Sequence, residues 1–144
     1  MTEPVQDQTS APLSHPVARR VTRSALGLFL IGAGVGHLAN REEFLAQVPP
    51  FLPAQDAIVY LSGAVEIGLG AALVSGWRKE LVGGVTAAFF VAIFPGNISQ
   101  LVTQTDAFGL DTDLKRALRL PFQPVLVVAA LWSTGAWRAW RQRR

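Results

Sequence analysis

Six polar side chains lie within, or at the edge of, stretches that are otherwise almost wholly apolar, and their types could do chemistry. A carboxylate and an imidazole can exchange protons, a guanidinium can hold an anion or a carbonyl oxygen, and side-chain amides both donate and accept hydrogen bonds. Inside a membrane such groups are costly, usually face the interior of a helix bundle, and indicate a functional site. The six residues are His37, Glu66, Asn97, Gln100, Arg119 and Gln123.

Other chemistries are excluded by what the chain lacks. Its 144 residues include no cysteine, which rules out disulfides, thiolate metal sites and thiol–disulfide exchange by the chain itself. The glycines of GAGVGH, residues 32–37, lack the spacing of a nucleotide-binding loop, and no predicted strand precedes them. Without such a loop, a haem-type histidine pair or a thiol, the chain cannot move electrons alone. We therefore assign no catalytic residue and no metal ligand, and we do not expect an enzyme acting on its own.

The elements that must position the six residues are predicted from hydropathy. Half of the residues are hydrophobic, 16% are charged, and the mean hydropathy is +0.31, which is too apolar for an ordinary soluble domain of this length. A soluble four-helix bundle is the alternative, but residues 63–74 and 82–94 show almost no polar face. Each apolar segment is close to the ~20 residues that cross a bilayer as a helix. We predict an all-α, integral membrane four-helix bundle with helices at roughly 21–39, 57–75, 81–102 and 118–137.

The distribution of Lys and Arg predicts the orientation of these helices. The two termini and the second connection carry nine of the 13 basic residues, whereas the first and third connections carry four, beside six of the ten acids. The positive-inside rule then places both termini in the cytoplasm. The basic residues cluster at the ends of apolar segments rather than in a stripe, so nucleic acid is not an expected partner. We expect a multi-pass protein of the cell (inner) membrane, with the lipid bilayer as a partner.

The chain divides into three parts on this interpretation. Residues 1–18 are rich in Pro, Gln, Ser and Thr and are predicted to form a disordered tail. Residues 19–140 form the four-helix domain, and residues 141–144 form a basic C-terminal tail.

Small residues and prolines are expected to shape the helices around the polar set. Gly63 and Gly70 share a helix face with Glu66, near mid-membrane, and that face should pack closely against another helix. The Gly32 and Gly36 pair is expected to do the same beside His37. A lone histidine of this kind has a structural and a functional interpretation, and both stay open.

Two prolines interrupt the third and fourth segments. Pro95 removes the hydrogen bond to the Val91 carbonyl, and Asn97 can then pair with that carbonyl, a neighbouring helix or a ligand. Pro121 is tolerated in the first turn of the fourth helix. Arg119 lies on one face with Arg116 and Gln123, and it can meet either an interior carboxylate or lipid headgroups.

Four motifs in order carry a resemblance to a known family: a Gly-His pair, SGAVE, FPGNI and LRLPFQ. Over roughly Ser24 to Trp137 the sequence resembles the DoxX family of small four-helix membrane proteins, with Gly96 where alanine is usual. The resemblance implies association with membrane redox or detoxification complexes and with quinone-linked oxidation of sulfur compounds. It carries structural motifs over to His37, Glu66, Pro95, Asn97, Arg119 and Gln123.

Two interpretations of the polar cluster remain. In one, it binds a quinone or another small amphipathic molecule as an accessory subunit beside a redox partner protein; Glu66 and His37 exchange protons, and Arg119 and Asn97 hold carbonyl oxygens. In the other, the chain is a non-catalytic membrane module whose cluster is an interhelical hydrogen-bond network that fixes the bundle or docks a partner. We favour the module, and ligand binding is compatible with either.

Overall fold

The described part of the chain, residues 14–144 of a computed structural model, is all helical and contains no strand. The first 13 residues of the predicted disordered tail lie outside the described residues. The helices are α1 (Pro16–Ala39), α2 (Arg41–Leu45), α3 (Gln55–Ser75), α4 (Lys79–Val102), α5 (Asp113–Arg119), α6 (Phe122–Thr134) and α7 (Ala136–Gln142).

Four helical units are long and apolar enough to cross a membrane: α1, α3, α4, and α5 with α6 taken together as Asp113–Thr134. This confirms the all-helical prediction and its four apolar helices. The first helix begins at Pro16 rather than at residue 21, so residues 16–18 of the predicted tail are helical. Proline suits this place because its ring fixes a helical φ and its missing N–H would be unpaired in a first turn anyway.

The fourth unit is broken where a single helix over 118–137 was predicted. Pro121 has no N–H to continue the hydrogen-bond ladder, and it lies directly before α6 rather than inside a first turn. The Leu120 amide instead donates to the Ala117 carbonyl at 3.1 Å. A second break follows at Gly135, whose φ of 80° is left-handed backbone that glycine adopts without a steric penalty.

The helices pack in the order α3, α1, α6, α4, and the remaining side of the bundle, between α3 and α4, is the least tightly packed. Arg19 donates to the Trp132 carbonyl, so the start of α1 lies beside the end of α6. We call this the terminal end of the bundle. The opposite end, the loop end, carries the connections of residues 40–54 and 103–112.

Glycines bring α1 and α3 into backbone contact. A Cβ on Gly34 would lie 2.5 Å from the Gly63 carbonyl oxygen, and one on Gly70 would lie 2.5 Å from that of Gly27. Gly27 and Gly34 are seven residues apart, as are Gly63 and Gly70, and this spacing returns to nearly the same helix face. Small residues on that face let the two backbones approach each other. Gly63 and Gly70 therefore lie at the contact between α1 and α3.

The other glycine pair on α1 does not join two long helices. Gly32 has open space around it, and a Cβ on Gly36 would meet only the Phe44 ring, at 3.4 Å. The reason is their position around the helix axis: these two residues lie on the flank of α1, away from the face that Gly27 and Gly34 present to α3.

The bundle has an apolar core in which polar side chains are also buried, and its outer surface is apolar as well, unlike that of a water-soluble protein. Leu28, Leu61, Val91 and Val125 are between 61% and 67% exposed. Buried polar side chains include all of the six chemistry-bearing residues except Arg119, which is half-buried. An exposed apolar surface of this extent is typical of a protein that meets hydrocarbon or a partner.

Candidate functional site

A cavity of about 450 Å³ lies in the loop-end half of the bundle, between α1, α3, α4 and α6. Its walls are mostly apolar side chains such as Leu30, Val59, Phe90 and Ile93. Ligand pockets have this size and this mixture of apolar walls with a few polar groups. Five of the six sequence-predicted residues line the cavity, and Gln100 lies just behind the lining: the five are His37, Glu66, Asn97, Arg119 and Gln123.

The floor of the cavity is formed by Glu66 on α3 and His37 on α1. Cα–Cβ bonds tilt toward the N-terminus of a helix, and because α1 and α3 are antiparallel the two side chains lean toward each other. His37 Nδ1 lies 3.2 Å from Glu66 Oε2. The same nitrogen lies 2.9 Å from the Ala33 carbonyl oxygen, and this contact requires the proton on Nδ1.

Glu66 is left with an unmatched oxygen. The residue is only 6% exposed, yet Oε2 has no hydrogen-bond partner among the described residues, because the nearby imidazole N–H points at Ala33. Burying a carboxylate without donors is unfavourable. The floor therefore presents to the cavity a group that a donor could satisfy.

One wall of the cavity is closed by paired amides. Asn97 donates to Gln123 Oε1 at 3.0 Å, and Gln123 donates to the Phe90 carbonyl at 2.6 Å. The sequence left three partners open for Asn97: the Val91 carbonyl, a neighbouring helix or a ligand. In the structure its partner is on the neighbouring helix α6. These two amides join α4 to α6 beside Pro95.

The roof of the cavity is centred on Arg119. Its guanidinium donates to Gln100 Oε1 at 3.0 Å and to Gln47 Oε1 at 3.1 Å, and it lies 5.4 Å from the centre of the Phe108 ring. Within residues 14–144 it forms no ion pair with a carboxylate. An interior carboxylate was one expected partner of Arg119. Its partners in the structure are instead two amide oxygens, which bind the cation but carry no negative charge.

Arg116, placed by the sequence on the same face as Arg119, turns instead into the 103–112 connection. It is buried, pairs with Asp106 and, at 2.7 Å, with Asp113, and donates to the Thr105 carbonyl at 3.3 Å. Nearby, the hydrogen bond and positive charge of Lys115 hold the pKa of the exposed Asp111 carboxyl below its ordinary value. Arg116 thus fixes a loop rather than the cavity.

Residues 41–54 fold over the loop end of the cavity, and we call this segment the cover. The Phe44 ring stacks on His37 with 3.7 Å between centroids and meets the Phe108 ring edge-on at 4.8 Å. The Phe108 amide donates to the Glu43 carboxylate. Sequence reasoning missed Phe44, Gln47 and Phe108; a lone aromatic in the charged turn REEFL was the signal available for Phe44, and Gln47 carried none.

The fold and the cavity together define an all-helical bundle of four potential membrane helices around a partly polar pocket. A family model described as a domain of unknown function, DUF8561, matches residues 26–134. The chain belongs to this family. No curated protein and no solved structure matches the chain.

The resemblance to the DoxX family is wrong, because the family model that matches is DUF8561 and not DoxX. The physical reason is that the compared motifs are short. Glycines for close packing, a proline beside an amide, and a buried carboxylate recur wherever apolar helices must pack around polar groups. Such features are typical of membrane helices in general and do not identify one family.

Proposed function

We propose that the protein is a multi-pass protein of the cell membrane, with both termini in the cytoplasm, whose cavity binds a small amphipathic molecule. It acts as a membrane module with no catalytic step of its own. The observation that carries the proposal is the buried Glu66 side chain, which lines the cavity and has one oxygen without a hydrogen-bond partner among the described residues.

The membrane part of the proposal is supported by the four long apolar helices and by the apolar outer surface. Its orientation is supported by charge. Nine of the 13 basic residues belong to the terminal end, and the loop end carries most of the acids.

The binding part is supported by a division within the polar cluster. The amides of Asn97 and Gln123 are paired with each other and with backbone, as a structural network requires. Within residues 14–144, Glu66 Oε2 has no hydrogen-bond partner and Arg119 forms no ion pair. These two charged groups are the ones left for a ligand.

A quinone is one amphipathic molecule to be tested, and an accessory redox role depends on it. Its carbonyl oxygens could accept from Arg119, but they offer no donor to Glu66; the hydroxyl groups of the reduced quinol do. The quinol is therefore the form that matches the floor.

The test is native mass spectrometry of the protein purified in mild detergent, followed by thermal unfolding with added quinone and quinol. We expect a bound small molecule in the wild type, reduced in both Glu66→Gln and Arg119→Ala. Glu42→Gln removes an exposed carboxylate at the same end of the bundle and serves as the matched control, with binding unchanged. A wild type with no specific ligand, or variants that retain it fully, would overturn the binding proposal.

A further inference from the structure

Resting on the proposed function, we infer how the ligand reaches the cavity and what its head group is. It enters sideways from the bilayer, between α3 and α4, and it is an amphiphile whose head donates a hydrogen bond to Glu66. Primary amines and alcohols are the head groups of this class.

Access from the loop end is closed by the cover. Gln47 is held by Arg119, the Phe44 ring lies on His37, and the Glu43 carboxylate accepts from the Phe108 amide. These contacts hold the cover over the loop end of the cavity, so we infer that a ligand passes through the side of the bundle.

The side between α3 and α4 offers that passage. These neighbours contact each other less than the other adjacent pairs of long helices do, and the cavity lining there includes the small residues Ser62, Ala92 and Gly96. Ala92 is exposed, so the cavity reaches the outer surface at this point. On the opposite side, the lining residues Phe29 and Phe122 are also exposed, but their rings are larger than the side chains of Ser62 and Ala92.

The head group follows from the free polar atoms near the floor, which are acceptors. Glu66 offers a carboxylate oxygen with no donor, and the Ser62 hydroxyl donates to the Val59 carbonyl, which leaves its lone pairs free. The His37 N–H is committed to Ala33. A head with N–H or O–H groups complements this floor, and a carboxylate head does not, since Arg119, the guanidinium that lines the cavity, lies at the roof.

Three amphiphiles with the same twelve-carbon chain test the head group: dodecylamine, dodecanol and laurate. Binding is measured on the full chain in phosphatidylcholine nanodiscs, by the shift in thermal unfolding. We expect the amine and the alcohol to stabilise the protein and laurate to do so least. Glu66→Gln should weaken amine binding about tenfold, equivalent to about 1.4 kcal/mol; tightest binding by laurate would overturn the head-group assignment.

Two alanines on one face of α4 test the route. Ala92→Phe, at the opening, should weaken or slow dodecylamine binding about tenfold, whereas Ala88→Phe, one turn away, exposed and outside the cavity lining, should leave it unchanged. Ser62→Leu, on the facing wall, repeats the test if Ala92→Phe fails to fold. Unchanged binding in both folded opening variants overturns the sideways route.

The outcomes separate the two proposals. If the wild type holds a ligand by native mass spectrometry but binds neither the amine nor the alcohol, the inference fails and the proposed function stands. If no ligand of any kind binds, both fail.

Discussion

At the residue scale, Glu66 and Asn97 line the same cavity but stand in opposite hydrogen-bonding states. Asn97 donates to Gln123, while Glu66 Oε2 has no hydrogen-bond partner in the part of the chain that the structure describes. A group kept buried without a partner lowers the stability of the ligand-free protein, and proteins tolerate such groups where function uses them.

We therefore predict opposite effects of two apolar substitutions in the cavity. Glu66→Met should raise the free energy of unfolding of the ligand-free protein by about 1–3 kcal/mol, because it removes an unsatisfied buried group. Asn97→Leu should lower it by about 0.6 kcal/mol or more, because it breaks an interhelical hydrogen bond. Thermal or denaturant unfolding in one detergent measures both. A clear loss of stability in Glu66→Met would mean that the His37–Glu66 contact is structural.

At the scale of elements, the α1–α3 pair depends on glycines that face each other. Gly34→Ala should destabilise the protein by about 1–3 kcal/mol, since overpacking forces the backbones apart where a Cβ would lie 2.5 Å from the Gly63 oxygen. Gly32→Ala, on the same helix with open space beside it, should be neutral or stabilising by up to about 1 kcal/mol. Unfolding curves of the two variants decide; equal effects would argue against close packing at Gly34.

The conformation of the 103–112 connection depends on the contacts of Arg116. Arg116→Gln removes its contacts to Asp106, Asp113 and the Thr105 carbonyl, so we expect faster limited proteolysis of this connection. Lys115→Gln breaks an exposed pair with Asp111 and a long, exposed hydrogen bond to the Gly109 carbonyl, and exposed pairs contribute little. If both variants are cleaved at the wild-type rate, Arg116 does not order the loop.

Sequence patterns predicted the long helices better than the connections. Runs of about 20 apolar residues are a strong signal, and the first three long helices lie where they were expected, whereas the fourth is broken at Pro121 and Gly135. The cover and α5 carry no such run. Arg116 was misplaced because residues three apart share a helix face, yet its long side chain turns to the acids of a loop whose path no periodicity encodes.

At the scale of the whole molecule, the proposed orientation makes a prediction that suits a chain without cysteine. Single cysteines at Asn40, on the loop end, and at Ser75, on the terminal end, provide the only thiols. An impermeant maleimide added to intact cells should label the first and not the second. Labelling of both after membrane disruption is the control, and the reverse pattern would invert the topology.

Only some of the residues around the cavity were predicted from sequence, because the rest depends on how the helices pack in the whole molecule. Helical periodicity indicates which residues share a face, but not which faces meet. That Glu66 would meet His37, and that Asn97 would meet Gln123, follows from the packing order α3, α1, α6, α4. The partners contributed by connections, Gln47 and Phe108, could not be inferred without the fold.

The packing of α1 directly on α3 also has a consequence for biosynthesis. Both helices of this hairpin, and with them the His37–Glu66 contact, belong to the first 75 residues. The ribosome therefore makes both sides of the cavity floor before it makes α4 and α6. The walls that these later helices contribute are synthesised after the floor.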